Sequence, residues 1–213
     1  ELLIAMVIAS IVMAAVVSAY TLQVRGKNTQ EALTDMNQTT RAAMEIMANE
    51  IATAGLDPLN SPKIAGIVTA TANQLNFTMD ISDGVSFQPD GTIDDPNENV
   101  TYQLYVDGDG NQNLGRDTGS GNQPLARNVD ALNFVYLDED GNVTATPADI
   151  RSIEVTIVAR AGEAGGAGFV GHHTDTRSYQ NRQGTEILAA QNDEYRRILL
   201  TTTIQCRNMG MGS

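Results

Sequence analysis

The segment ELLIAMVIASIVMAAVVSAYTLQV, Glu1–Val24, carries a single charge, at its first position, and no proline or glycine. As a helix, Leu2–Val24 spans roughly 35 Å at ~1.5 Å per residue, enough to cross a bilayer. Arg25 and Lys27 follow at once, as expected at a membrane–water boundary. A removable signal peptide would stop near a small-residue cleavage site. Here the helical pattern runs on instead, interrupted only by Gly26, until Gly55 and Pro58.

The continuation has a different character. Leu33, Met36, Thr40, Ala43, Met47, Ile51 and Ala54 recur at alternating steps of three and four, which is one face of a helix. Glu31, Asp35, Arg41, Glu45 and Glu50 fill the other side, where Arg41 and Glu45 stand four apart and are expected to pair. Gly55 suits a C-cap, and Pro58 prevents continuation. A helix from the start to Ala54 would be roughly 80 Å long. No compact head of this size buries that length, so the first half requires lipid or other copies of itself. Glu1 is an acid abutting an apolar helix. A helix N-terminus favours a carboxylate through its dipole, and a charge at membrane depth calls for a partner.

From Lys63 onward the period falls to two. Leu75, Phe77, Met79 and Ile81 alternate with polar residues, as do Val100, Tyr102, Leu104 and Val106. The same rule holds for Leu132, Phe134 and Tyr136, for Ile153, Val155 and Ile157, and for Ile198, Leu200, Thr202, Ile204 and Cys206. Such runs predict half-buried antiparallel strands. The expected fold class is α+β, with one face of an antiparallel β-sheet head packed on the C-terminal half of the long helix. The expected organisation is an apolar transmembrane or filament-core helix over 1–27, an amphipathic half over 28–57, and a β-rich head over 58–213. Within the head, 161–195 reads as a long glycine-rich loop, with a short helical turn at Thr185–Gln191.

Composition narrows the partners. The 213 residues carry a net charge of −13, and there is no Trp. Phosphate binding needs clustered Lys and Arg, so nucleic acid is excluded as an expected partner. Cys206 is the single cysteine, and a chain with one cysteine closes no disulfide of its own.

The N-terminal stretch Glu1-Leu2-Leu3-Ile4-Ala5-Met6, the small and apolar run after it, and the amphipathic continuation resemble the N-terminal signature of type IV pilins and pseudopilins. The segments Arg41–Ile51, Asp149–Ile157 and Tyr195–Asn208 are most similar to PilW-type minor pilins. The resemblance covers residues 1–57 and, with less of the pattern, 130–208. It implies a subunit of a type IV pilus-like helical filament, with homologous pilin subunits as partners, assembling through residues that include Glu1, Leu2, Leu3, Ile8 and Val12. It also implies a prepilin peptidase, an assembly machinery, residence in the bacterial inner membrane before assembly, and a cell-surface filament afterwards. On this pattern Glu1 matches the family's glutamate, which neutralises the N-terminal amine of a neighbouring subunit. A few mature residues would then precede it. Many major pilins break the apolar stretch with Pro or Gly; this one does not.

Other chemistry is sparse. Asp107, Asp109 and Asn111 alternate oxygen donors as a calcium loop does, and Asp138-Glu139-Asp140-Gly141-Asn142 is a second such run. Neither has the EF-hand glycine at the sixth position, held by Gln112 and Val143, and Asp-Gly and Gly-Asn also simply turn hairpins. His172 and His173, near Asp175, lack the further ordered ligand that zinc needs. Gly162, Gly165, Gly166 and Gly168 do not form a dinucleotide fingerprint. Cys206 on the apolar face of the last strand reads as buried and inert. No catalytic constellation is legible, and the chain is not expected to be an enzyme. The alternative to a filament subunit is a membrane-anchored extracytoplasmic binding or adhesion domain that never polymerises.

Overall fold

The computed structural model describes residues 2–61, 66–81, 88–162 and 174–210. A single helix, α1, runs unbroken from Leu2 to Ile51. Its stripe is as expected: Leu33 is half-buried, and Met36, Thr40, Ala43, Met47, Ile51 and Ala54 are buried. Gly55 ends the helix at a φ of 76°, the left-handed conformation that glycine adopts without strain. Its N–H donates to the Thr78 carbonyl at 2.9 Å, so the helix terminus is stitched directly to the sheet.

Strands β1 (Ile67–Ala70), β2 (Gln74–Thr78), β3 (Asn99–Val106), β4 (Gln112–Asp117) and β5 (Gln123–Ala126) form one antiparallel meander. Strands β6 (Val129–Leu137), β7 (Ser152–Arg160) and β10 (Arg197–Gln205) form a second antiparallel sheet in the order β10-β7-β6. The short pair β8 (Tyr179–Gln180) and β9 (Glu186–Leu188) completes the head. The α+β expectation therefore holds, but the head has two main sheets, and the helix packs on β10, β7 and β5. One core serves both. Phe77, Tyr102 and Leu114 from the first sheet join Phe134, Ile153 and Ile157 from the second and Met47 and Ile51 from α1. The sheets are also tied by backbone: the Phe134 N–H donates to the Ala72 carbonyl at 2.8 Å.

Several details differ from the sequence reading. Ile81 and Val106 continue their alternations but are exposed, Ile81 beyond the end of β2 and Val106 as the last residue of β3. Thr185–Gln191 forms no helical turn, since Glu186–Leu188 is β9. The described part of 161–195 is pinned rather than structureless, while residues 163–173, with His172 and His173, lie outside the described residues. Arg41 and Glu45 remain exposed, and the i,i+4 pair that closes on the helix is Lys27–Glu31 at 3.5 Å.

Glu50 is the main correction. It stands three residues from Met47, about 60° round the helix, on the shoulder of the buried stripe. Its carboxylate accepts the Tyr102 hydroxyl of β3 and meets Arg116 Nε of β4 at 3.0 Å. Arg116 reaches on to Asn97 Oδ1 at 3.0 Å. Burial and the neighbouring carboxylate both push the Tyr102 hydroxyl well above its ordinary pKa, so it stays a donor.

This clamp generates a prediction. A fragment starting near Asn28 is expected to be soluble and monomeric, because it loses the apolar half and keeps the stripe covered by the sheets. Within it, Glu50→Ala strands a mostly buried guanidinium and should lower unfolding free energy by about 1–3 kcal/mol. Glu45→Ala, on the exposed face, should change it by less than ~0.5 kcal/mol. Urea denaturation followed by circular dichroism checks both, and equal effects would remove the clamp.

Candidate assembly surface and the anchors of the head

Four of the residues expected to carry assembly lie on the part of α1 that is uncovered by the other described residues. Leu2, Leu3, Ile8 and Val12 are 76%, 77%, 57% and 55% exposed; Glu1 lies outside the described residues. From Leu2 to Val24, fourteen large apolar side chains are exposed on this one helix. Burying each is worth ~1.5–3 kcal/mol, so together they represent tens of kcal/mol of unmet burial. Two hydroxyls within the stretch are returned to the helix itself. Ser10 Oγ donates to the Val7 carbonyl at 2.8 Å and Thr21 Oγ1 to the Ser18 carbonyl at 2.9 Å. Past the first turn the backbone bonds are internal to the helix, so the main chain of the segment fits an apolar environment. By length and composition α1 is able to cross a membrane.

In the head, the candidate calcium residues sit in the β3–β4 turn. Asp107 Oδ1 accepts the N–H groups of Asp109 at 3.0 Å and Asn111 at 2.9 Å, and Oδ2 accepts Asn113 Nδ2 at 2.8 Å. These hydrogen bonds, led by that from the Asn111 N–H, hold the carboxyl below its ordinary pKa. Asp109 points to solvent and Asn111 is buried. Asp138 repeats the device, accepting the N–H groups of Asp140 at 3.0 Å and Asn142 at 2.8 Å. Both aspartates thus serve as turn formers. Asp90, Asp94 and Asp95 bring carboxylate oxygens within 4.8 Å of one another in a loop that no sequence pattern marks. Cys206 is buried, and burial pushes its thiol up to about 12, which keeps it protonated and unreactive.

Sequence reasoning missed the most concentrated chemistry of the head. Arg197, the first residue of β10, has a side chain only 2% exposed. Its Nε meets Asp130 of β6 at 2.6 Å, Nη1 meets Asp175 at 3.3 Å, and Nη2 meets Asp193 at 2.6 Å. Asp130 also holds Arg160 of β7 at 2.6 Å, and Asp175 holds Arg177 at 3.3 Å and the Tyr179 hydroxyl at 2.6 Å. Three arginines balance three aspartates, so the network, buried at Arg197 and Asp175 and open at Arg177, is neutral. It pins the excursion 174–196 to the second sheet, helped by the Asp175 N–H donating to the Asp193 carbonyl at 2.7 Å. The only sequence signal is a set of Asp and Arg at unrelated spacings, because the partners meet through the tertiary fold.

No family model and no curated protein matches the chain. Among solved structures, a type IV-like pilin from Thermus thermophilus is similar over 82% of this chain and 98% of its own length, at 15% identity and a TM-score of 0.49. At that level the likeness concerns the course of the chain, and no residue is carried across.

The network also predicts a pH response. The hydrogen bonds from Arg197 hold the Asp193 carboxyl below the ordinary value; at Asp175, burial acts upward but the bonds from Tyr179, Arg177 and Arg197 outweigh it. A depressed folded-state pKa gives stability that is complete above the ordinary Asp value of about 3.9 and is lost as pH falls through the lower one. Hydrogen-exchange protection of β8 and β9, corrected for intrinsic rates, should therefore decline below pH ~4 before that of β7. Arg197→Met should release the excursion at neutral pH, with a loss of about 3–5 kcal/mol. Unchanged protection in that variant would mean that the network does not hold the excursion.

Proposed function

We propose that this chain is a structural subunit of a type IV pilus-like filament, in which the Leu2–Val24 segments of successive copies pack together and the heads face outward. One observation carries the reading: fourteen large apolar side chains stand exposed on a helix that is continuous with the one clamped under the head. A membrane anchor alone needs only about twenty residues. Here the same rigid rod both spans and positions the head, which suits a lattice of repeated subunits better than a tether. Within this reading the chain resides in the bacterial inner membrane until it is extracted into a cell-surface filament. Homologous subunits are its partners, and a prepilin peptidase and a pilus machinery process it. Its place among pilins is the PilW-type minor subunit.

Glu1 belongs to the same reading. A carboxylate beside apolar side chains loses hydration and calls for a cation. The next basic side chain after it is Arg25, roughly 36 Å along the helix, and the resemblance to type IV pilins makes the N-terminal amine of a neighbouring copy the partner. Such a pair fixes register more than it adds stability, since buried pairs often only break even.

In cells, Ile8→Asp combined with Val12→Asp should abolish incorporation into sheared filaments while the head remains folded. Wild-type incorporation of that variant would leave the non-polymerising membrane anchor as the better account. Glu1→Gln should insert into the membrane normally yet yield few filaments, or filaments of altered register by electron microscopy. Normal yield with unchanged register would reduce Glu1 to a helix-terminus preference.

A further inference from the structure

Two different surfaces flank α1 where it enters the head. On one side a cleft of about 540 Å³ lies between α1 and the β5–β6 turn, lined by Asp35, Thr39, Leu125, Arg127, Asn128 and Arg160. It holds two orphaned polar atoms: Asn128 Oδ1 and Arg160 Nε are both buried and neither has a hydrogen-bond partner. Buried polar atoms without partners are rare in folded proteins, so packing is least complete behind this wall of the head.

On the other side a groove of about 430 Å³ runs between α1 and β10, lined by Arg41, Met44, Glu45, Ala48, Leu200 and Thr201. Among the described residues β10 is an edge strand, paired only with β7. The Cys206 N–H donates to the Arg151 carbonyl, and the Ala161 N–H to the Arg196 carbonyl, each at 2.9 Å. By the alternation of an antiparallel ladder, Ile198, Leu200, Thr202 and Ile204 bond to β7. Leu199, Thr201 and Thr203 therefore turn their N–H and C=O groups to the open edge, where no backbone partner meets them among the described residues. An edge of this length is a template for another chain.

The two surfaces are complementary in chemistry and opposed in position. At ~100° per residue, the helix positions lining the cleft and those lining the groove lie about 180° apart around α1. Asp35 and Arg127 at the cleft, and Arg41 and Glu45 at the groove, have no ion-pair partner among the described residues, so each flank offers one free charge of either sign.

We infer that these flanks are the two halves of one heterologous interface: the open β10 edge of one copy seats against the α1/β5–β6 cleft of the next. The inference rests on the filament reading and gives it a lateral contact between heads. A filament whose subunits leave a common membrane keeps all helices parallel. Two β10 edges meeting about a two-fold axis across the strands would set them antiparallel. Unlike surfaces on opposite flanks repeat without closing, as an open helical assembly requires. From Asp35 to Met44 is nine residues, so seating one flank on the other staggers adjacent copies by about 14 Å along the helix.

The test uses the full chain with Arg127→Cys, Thr201→Cys, and both together, assembled into filaments and treated with a short bis-maleimide. The native thiol, Cys206, is buried and serves as the background control. The double variant should give a ladder of covalent multimers, while each single variant stays monomeric. Filaments at normal yield whose double variant remains monomeric would overturn the inference, and so would dimers from either single variant, which indicate a self-complementary contact. Filament yield is read separately by sedimentation. Loss of filaments in the wild-type chain would instead remove the filament reading, and the interface with it.

Discussion

An α-helix that satisfies its backbone internally for fifty residues has no reason to stop where its surroundings change, and α1 does not. The same hydrogen-bond ladder passes from a segment with every side chain exposed into one whose stripe is the floor of the head core. Position and orientation at one end are therefore inherited at the other. The Glu50–Arg116–Tyr102 clamp makes this inheritance strict, because it ties the last turns of α1 to two strands of the meander. Sliding the helix would strand a guanidinium that is largely shielded from water, a far larger penalty than the loss of a surface ion pair.

The head manages its polar groups in a way that explains its acidity. Many aspartates are taken up by backbone N–H groups: Asp107, Asp117 and Asp138 turn loops, and the fully buried Asp80 accepts the Gly91 N–H at 2.8 Å. Others balance arginines in the Arg197 network. Net charge thus reports on turn chemistry and solvated surface more than on a cation-binding function. The polar groups that the described part of the head leaves unpaired include Asp57 just after α1, Asn128 and Arg160 beside the cleft, and the outward backbone of β10.

The sequence exposes this architecture unevenly. Period and length make α1 legible almost to its last residue, since both signals are local. The longer strands are legible for the same reason. β1 and β5 have four residues each, too few for an alternation to stand out, and β4 carries Gly115 within a largely polar run. A side chain at Gly115 would come within 2.8 Å of both Tyr105 and Asn122, so the residue answers to a cross-strand neighbour invisible in sequence. The division into two sheets is equally invisible, because period two says which face is buried and nothing about which strand pairs with which. Glu50 is misread because a helical shoulder and an exposed face look alike until the opposing arginine is known. Of the candidate site, the apolar residues of α1 are readable as an exposed surface in need of cover. The cleft and the open edge are products of tertiary packing.

The division between the two halves of α1 also bears on how such a subunit changes environment. Between Leu2 and Val24 the backbone is bonded within the helix, and Ser10 and Thr21 return their hydroxyls to it. Moving this segment from lipid to a bundle of like helices therefore exchanges one apolar contact for another and breaks no hydrogen bond. With lipid tails about as apolar as leucine, burial alone gives such an exchange little direction. Specificity must then come from groups that distinguish a neighbour from a lipid. Those available include Glu1 at the tip and, some thirty residues on, the charges beside the neck that have no ion-pair partner among the described residues. On the filament reading, water reaches the neck while the tip lies in the apolar phase. The two sets would thus act in different media: the tip contact is strong only when a partner amine is present, and the neck contact is moderated by salt. On the filament reading, the apolar helix makes assembly permissible, and the polar groups at its two ends determine which arrangement forms.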